Sequence, residues 1–190
     1  MKQGVVRIIA GQWRGRRLKV PAMSGLRPTP DRVRETVFNW LAPSMVGARC
    51  LDAFAGSGAF GFEALSRGAS YVEMTDQSAE VVALLQEELA IFGANNATIY
   101  RATVPAQLRA ITQPFDIVFL DPPYQDKMLL PCCFYLEEQG FLAESAYIYL
   151  EAKDIIRDNQ LPLHWRLVKS QQAGQVCYHL ARRELTTHDK

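Results

Sequence analysis

Two short stretches of this 190-residue chain hold residue types that do chemistry. In the first, Asp52-Ala53-Phe54-Ala55-Gly56-Ser57-Gly58-Ala59-Phe60-Gly61, glycines stand at 56, 58 and 61, and a carboxylate, Asp76, follows the first of them by twenty residues. This is a nucleotide-ligand fingerprint. The glycines let the backbone approach a ligand closely, and the later carboxylate accepts hydrogen bonds from ribose hydroxyls. Asp52 discriminates between ligands, because a carboxylate four positions before the first glycine repels a pyrophosphate and suits a cation. S-adenosylmethionine carries a sulfonium and an ammonium and no phosphate there, so the charge favours it over NAD. The bland alternative is a tight strand-to-helix turn with no ligand.

The second stretch, Asp121-Pro122-Pro123-Tyr124, follows the apolar run Phe115-Asp116-Ile117-Val118-Phe119-Leu120. In a doubly wound sheet, ligands bind outside the carboxyl ends of the strands, which sets this loop beside the glycine loop. The prolines impose a stiff, extended path and supply no N–H donors. What remains is an acceptor-rich ledge of carbonyls and the Asp121 carboxylate beside an aromatic ring. Such a ledge suits an exocyclic amine, guanine N2 or adenine N6, whose lone pair is delocalised into the ring. Accepting its two hydrogens on Asp121 and the Pro122 carbonyl pulls the nitrogen toward tetrahedral geometry and frees the lone pair. Tyr124 can stack on the base and hold it in line. Alone, the four residues read better as a rigid turn; paired with the glycine motif, they read as a site.

A third constellation is electrostatic. The net charge of +1 hides ten Lys/Arg in residues 1–50 against Asp31 and Glu35, leaving that segment at +8 and the remainder at −7. A basic end on an acidic body suggests a docked polyanion, since each neutralised phosphate releases condensed counterions. Arg14, Arg16, Arg17, Lys19, Arg27, Arg32 and Arg34 suit phosphate contacts, with Trp13 among them as a stacking surface. Any one of them alone reads as solvated surface charge. A target base held in a stack must be splayed out before its amine is reachable, which an RNA loop makes cheaper.

The elements that position these groups are legible from periodicity. Residues 5–9 and 17–20 read as a hairpin around Gly11-Gln12-Trp13-Arg14-Gly15. Thr29 is placed to N-cap a helix with Pro30 in its first position and Asp31 in its first turn; Val33, Val37, Trp40 and Leu41 form its apolar stripe, and Pro43 is expected to end it. Strands are expected at 49–54, 71–75, 98–101, 115–120 and 147–150, with helices near 59–67, 78–92, 104–111 and 128–139 between them. Ser78 suits an N-cap, and Gly68 and Gly93 suit C′ positions. This alternation argues for an α/β fold, a mainly parallel sheet with helices on both faces. Residues 165–169 and 176–181, around Ala173-Gly174, read as a closing antiparallel hairpin. The chain divides into a basic hairpin extension (1–25), a contacting segment and helix (26–43) and an α/β core (44–190) within one domain. Hydrophobic content of 48% and charged content of 22% are ordinary for a globular protein. No apolar run is long enough to span a bilayer, and the start lacks a secretory h-region, so a cytoplasmic protein is expected. Cys50, Cys132, Cys133 and Cys177 lack metal-ligand spacing, so reduced thiols and no metal are expected.

Residues 7–16 (Arg-Ile-Ile-Ala-Gly-Gln-Trp-Arg-Gly-Arg), 26–35 (Leu-Arg-Pro-Thr-Pro-Asp-Arg-Val-Arg-Glu) and 38–41 (Phe-Asn-Trp-Leu) resemble the bacterial ribosomal RNA small-subunit methyltransferase D family. The glycine loop, Asp121–Tyr124 and the hairpin around Gly174-Gln175-Val176 continue the resemblance over nearly the whole chain. It implies a seven-stranded class I (Rossmann-like) methyltransferase sheet with an N-terminal β-hairpin extension. It further implies guanine-N2 methylation of small-subunit (16S) ribosomal RNA from S-adenosylmethionine, on an assembled or nearly assembled subunit, by a protein taken as a monomer. By position, Asp52, Gly56 and Gly58 would line the methionine end and Asp76 would hold the ribose, with Phe54 and Gln77 also cofactor-binding. Asp121, Pro122, Pro123 and Tyr124 would form the catalytic loop. The segment holding Arg27, Thr29, Arg32 and Arg34 would close over the cofactor and touch RNA. One departure stands out: Thr103 occupies the place where many members carry an acid for the adenine amine, and a hydroxyl accepts there without charge assistance. Two other readings remain open: an adenine-N6 enzyme on DNA or RNA, or one modifying a protein amide, and a cofactor-binding RNA assembly factor without catalysis.

Overall fold

Along the fourth strand of the main sheet, Ile117 and Phe119 pack into one core layer, and Val118 and Leu120 into another. That two-sided burial is what a near-continuous apolar strand requires. The computed structural model describes residues 5–19, 29–123 and 127–185. An N-terminal hairpin pairs β1 (Val5–Arg7) with β2 (Arg17–Lys19). There follow α1 (Asp31–Met45), β3 (Arg49–Asp52), α2 (Ala59–Ser66), β4 (Tyr71–Asp76), α3 (Ala79–Phe92), β5 (Ala97–Arg101), β6 (Phe115–Leu120), α4 (Leu129–Glu138), β7 (Leu142–Ala152), β8 (Trp165–Ala173) and β9 (Val176–Arg183). The seven-stranded sheet runs β5-β4-β3-β6-β7-β9-β8; its first five strands are parallel, and β9 is antiparallel to both β7 and β8. The expected α/β fold with its hairpin extension is present. Strand order reverses at β3, and the crevice between β3 and β6 is the switch point where such sheets bind ligands.

One layer holds α1, α2, α3 and the hairpin; the other holds α4 and the segment after β5. Ser78 caps α3 as expected, its hydroxyl accepting from the Val81 N–H, and Gly93 closes the helix at φ 66°. On α1, Trp40 stacks on Tyr178 at 5.6 Å. At the sheet edge, the Trp165 indole donates to Glu137 Oε2 at 2.8 Å. Among the described residues no helix is long and apolar enough to cross a membrane.

Three expectations about elements are corrected. Residues 104–107 form a turn and 108–111 no regular element, rather than a helix, with Val104 and Leu108 buried in the second layer; Pro105 at the front and Pro114 behind leave too little chain to offset helix nucleation. Thr29 does not cap α1. The helix begins at Asp31, without a side-chain cap, and the Thr29 hydroxyl turns to Asp121 and Glu151 instead. Pro43 does not end α1, because in the last turn it forfeits one hydrogen bond while burial of Leu41 and Met45 holds the turn in place. Strands β7, β8 and β9 also run longer than their apolar runs, since pairing on their neighbours continues through polar residues such as Glu151, Gln171 and Arg182.

Candidate functional site

The carboxyl ends of β3, β4, β6 and β7 bring Asp52, Asp76, Asp121 and Glu151 to one end of the sheet. The glycine loop spans β3 and α2. Gly56 and Gly58 hold φ of 50° and 73°, a left-handed region costly for other residues. A Cβ on Gly58 would stand 2.7 Å from Leu85 Cδ2, and one on Gly61 would collide with the Met74 sulfur. The third glycine thus lets α2 lie close on β4. Asp76 is held from both sides: Oδ2 accepts from Gly56 N at 3.0 Å and Oδ1 from Ser78 N at 2.8 Å. Each oxygen retains a second lone pair, and the residue is half-exposed, as an acceptor for ribose hydroxyls must be. Phe54 is half-buried in the loop, while Gln77 and Thr103 are exposed at the neighbouring strand ends. Gln77 accepts from Arg101 through its carbonyl, and the Thr103 N–H donates to Gln107 Oε1.

Asp52 is buried and accepts from Gly61 N at 2.9 Å through Oδ2, so it also caps the first turn of α2. Burial pushes its carboxyl up to about 7, against the Gly61 hydrogen bond and with help from the charge of Asp76. Asp121, half-buried, is raised well above the usual carboxylate range by burial and by Glu151, with the Thr29 hydrogen bond opposing and Asp52 adding. The desolvating floor is aromatic. Phe60 lies 5.0 Å from Phe119 and 4.8 Å from Tyr149, with Phe38 beyond. Pro122 is buried and Pro123 exposed after Asp121; Tyr124 and Arg27 lie outside the described residues.

Glu151 and Tyr149 were missed in the sequence reading. Thr29 Oγ1 lies 3.2 Å from Asp121 Oδ2 and 3.3 Å from Glu151 Oε2, and the Tyr149 hydroxyl donates to the same Glu151 oxygen at 2.7 Å. The signal was available: Glu151 directly follows the expected strand 147–150, as Asp76 and Asp121 follow theirs. A cluster of mutually repelling acids over an apolar floor is an environment that a sulfonium and an ammonium relieve and a pyrophosphate aggravates. The chain's own electrostatics therefore fit S-adenosylmethionine.

The basic face divides into exposed and structural members. Arg14, Arg17 and Arg32 are exposed; Arg16 is also exposed but tethered, its guanidinium 3.8 Å over the Phe92 ring. Two expected RNA contacts are corrected. Trp13 is buried, its ring 4.7 Å from Phe92 and its backbone N–H on Ser66 Oγ, so it offers no free stacking surface. Arg34 is fully buried, donating to Asp31 at 2.6 Å and to the Arg7 carbonyl at 2.9 Å. Beside it, buried Glu63 accepts from Ile9 N, Ala10 N and Arg67 Nε, pinning the hairpin to α2. A Cβ on Gly11 would run into the Ser66 carbonyl, so the turn sits directly on the end of that helix.

Comparison with known proteins agrees with this geometry. A family model described as "Conserved hypothetical protein 95" matches residues 6–182. The ribosomal RNA small subunit methyltransferase D of Escherichia coli K12 is 46% identical over 95% of this chain and 91% of its own length. That of Haemophilus influenzae is 41% identical over 94% of each. The solved structure of the Escherichia coli protein yhhF superposes with a TM-score of 0.87 at 46% identity, covering 96% of this chain and 100% of that one.

Proposed function

The chain belongs to the ribosomal RNA small subunit methyltransferase D family, and on that premise we propose that it methylates the exocyclic N2 amine of a guanine in small-subunit (16S) ribosomal RNA. The observation that carries the reading is the convergence of Asp52, Asp76 and Asp121 on the switch point of a class I methyltransferase sheet. S-adenosylmethionine, bound there, supplies an electrophilic methyl group. Asp76 would hold its ribose end, Asp52, Gly56 and Gly58 would line the methionine end, and Phe54, Gln77, Thr103, Arg27 and Thr29 would complete the cofactor contacts. Asp121 and the Pro122 carbonyl accept the amine hydrogens, Pro123 keeps the ledge rigid, and Tyr124 stacks on the base. The ledge contributes by orientation and by freeing the nitrogen lone pair, with no covalent enzyme intermediate. Arg14, Arg16, Arg17 and Arg32 give the phosphate contacts. The enzyme acts as a cytoplasmic monomer on the small ribosomal subunit.

The test uses small subunits from cells lacking the gene and methyl-labelled S-adenosylmethionine, comparing wild type with Asp121→Ala. Label in N2-methylguanosine that disappears in the variant supports the reading. Label in N6-methyladenine overturns the choice of base. Cofactor binding with no label in RNA overturns the substrate.

A further inference from the structure

Thr29 stands between two acids with a single hydrogen to give. If Asp121 and Glu151 were both ionised, one of its contacts, 3.2 or 3.3 Å, would set lone pair against lone pair. Both become hydrogen bonds when one acid is protonated and donates to Thr29 while Thr29 donates to the other. Tyr149 fixes the direction, because it already donates to Glu151 Oε2. An oxygen collecting two donors is the anionic end. The chain then runs from Asp121 Oδ2–H through Thr29 Oγ1–H to Glu151 Oε2. Among the described residues, the titratable groups facing Asp121 are Asp52 from β3 and Glu151 from β7. Tyr149 bonds to Glu151, and Tyr178 of β9 is paired with it in register. Burial and the two neighbouring acids raise Asp121 by more than the Thr29 contact lowers it, which agrees with its holding the proton in the free protein.

We propose that Thr29 and Glu151 are positioning residues that form a proton relay behind Asp121, with Glu151 storing the proton that Asp121 gives up in order to accept an amine hydrogen. The proposal rests on the methyl-transfer reading above. As the amine reaches the ledge, the Asp121 O–H bond breaks toward Thr29 Oγ1, and Thr29 passes its own hydrogen to Glu151 Oε2. Asp121 is then the anion that faces the amine. Once the nitrogen lone pair has bonded to the methyl carbon, with the carbon–sulfur pair retained by sulfur, the nitrogen carries one hydrogen too many. That N–H bond breaks, its electron pair stays on nitrogen, and the proton goes to Asp121. The site now holds two protons where it held one. Loss of one to water restores the shared proton, so the positive charge that arrived on sulfur leaves as that proton.

The test starts with the free full-length protein, following Asp side-chain carboxyl carbons by 13C NMR across pH and assigning Asp121 by its loss in Asp121→Asn. Asp121 is expected to titrate above the ordinary range in wild type and to drop by about one unit or more in Glu151→Gln, where a like charge is removed. Single-turnover methylation is then expected to fall on the order of 10- to 100-fold in Thr29→Val with RNA affinity unchanged, and to return within about 3-fold of wild type in Thr29→Ser, which restores the hydroxyl. An Asp121 titration unmoved by Glu151→Gln overturns the relay, whatever the substrate. So does failure of Thr29→Ser to recover what Thr29→Val loses. Should Glu151→Gln fail to fold, the Thr29 pair and the wild-type titration still decide. A wild type that makes no N2-methylguanosine overturns the functional reading instead, and is told apart because the titration needs no substrate.

Discussion

Glu63 beneath the N-terminal hairpin and Asp52 at the carboxyl end of the sheet are both buried carboxylates, yet their surroundings are opposite. Glu63 faces cations and donors: two backbone N–H groups, Arg67 at 2.6 Å and Arg34 at 3.9 Å. Among the described residues Arg34 Nε and Nη1 find no hydrogen-bond acceptor, so Arg34 and Glu63 are paired by charge rather than by a full set of hydrogen bonds. Asp52 and Asp121 face other acids, and their protons are held more tightly as a result. A buried charge that the chain compensates itself serves architecture. One left for something else to compensate marks a site.

The contrast can be broken by substitution, and the largest effect belongs to the compensated side. Glu63→Ala removes the acceptor shared by Ile9 N, Ala10 N and Arg67 Nε and one of the two carboxylates paired with buried Arg34, and should cost about 3–5 kcal/mol in urea unfolding. A loss under 1 kcal/mol would show that the hairpin is not held by this contact. Asp121→Ala should do the reverse, leaving the melting temperature unchanged or higher while single-turnover methylation falls on the order of 10²- to 10³-fold, about 3–4 kcal/mol of barrier. Asp52 sharpens the comparison through pH. Its folded value of about 7 lies above the unfolded 3.8, so the stability it contributes is fully present below the unfolded value and is lost as pH rises through 7. Urea unfolding of the free wild type at pH 5 and 8 should show a loss of a few kcal/mol, and Asp52→Asn, which keeps an acceptor for Gly61, should reduce it, the remainder belonging to Asp121. An equal loss in the variant removes Asp52 from the account. The smallest effects belong to the exposed arginines: Arg14→Ala and Arg17→Ala should each reduce the slope of RNA affinity against salt by about one, with melting unchanged.

The sequence made the glycine loop and the Asp121 ledge legible because each depends on local spacing and on strand ends. It misplaced Trp13 and Arg34 because charge and aromaticity were read without the helix they pack on. Arg34 falls between Val33 and Val37 on the stripe that buries α1, so its position in the period outweighs its charge. Glu63 is the one charged residue in a helix whose eight residues are all buried, a signal that composition averages away. Glu151 was hidden because its partners, Thr29 and Asp121, lie 122 and 30 residues away along the chain, and only the sheet order brings them together.

The docking of the hairpin on α2 and α3 has a consequence for the order in which the chain is made. Its contacts join residues 54, 53 and 75 positions apart, from Ile9 and Ala10 to Glu63 and from Arg16 to Ile91. At a synthesis rate of roughly 5–20 residues per second, the most basic part of the chain leaves the ribosome about 4–15 seconds before its seat exists. For that interval it is an unfolded cationic tether within reach of the polyanion that synthesises it, and folding must withdraw it from there.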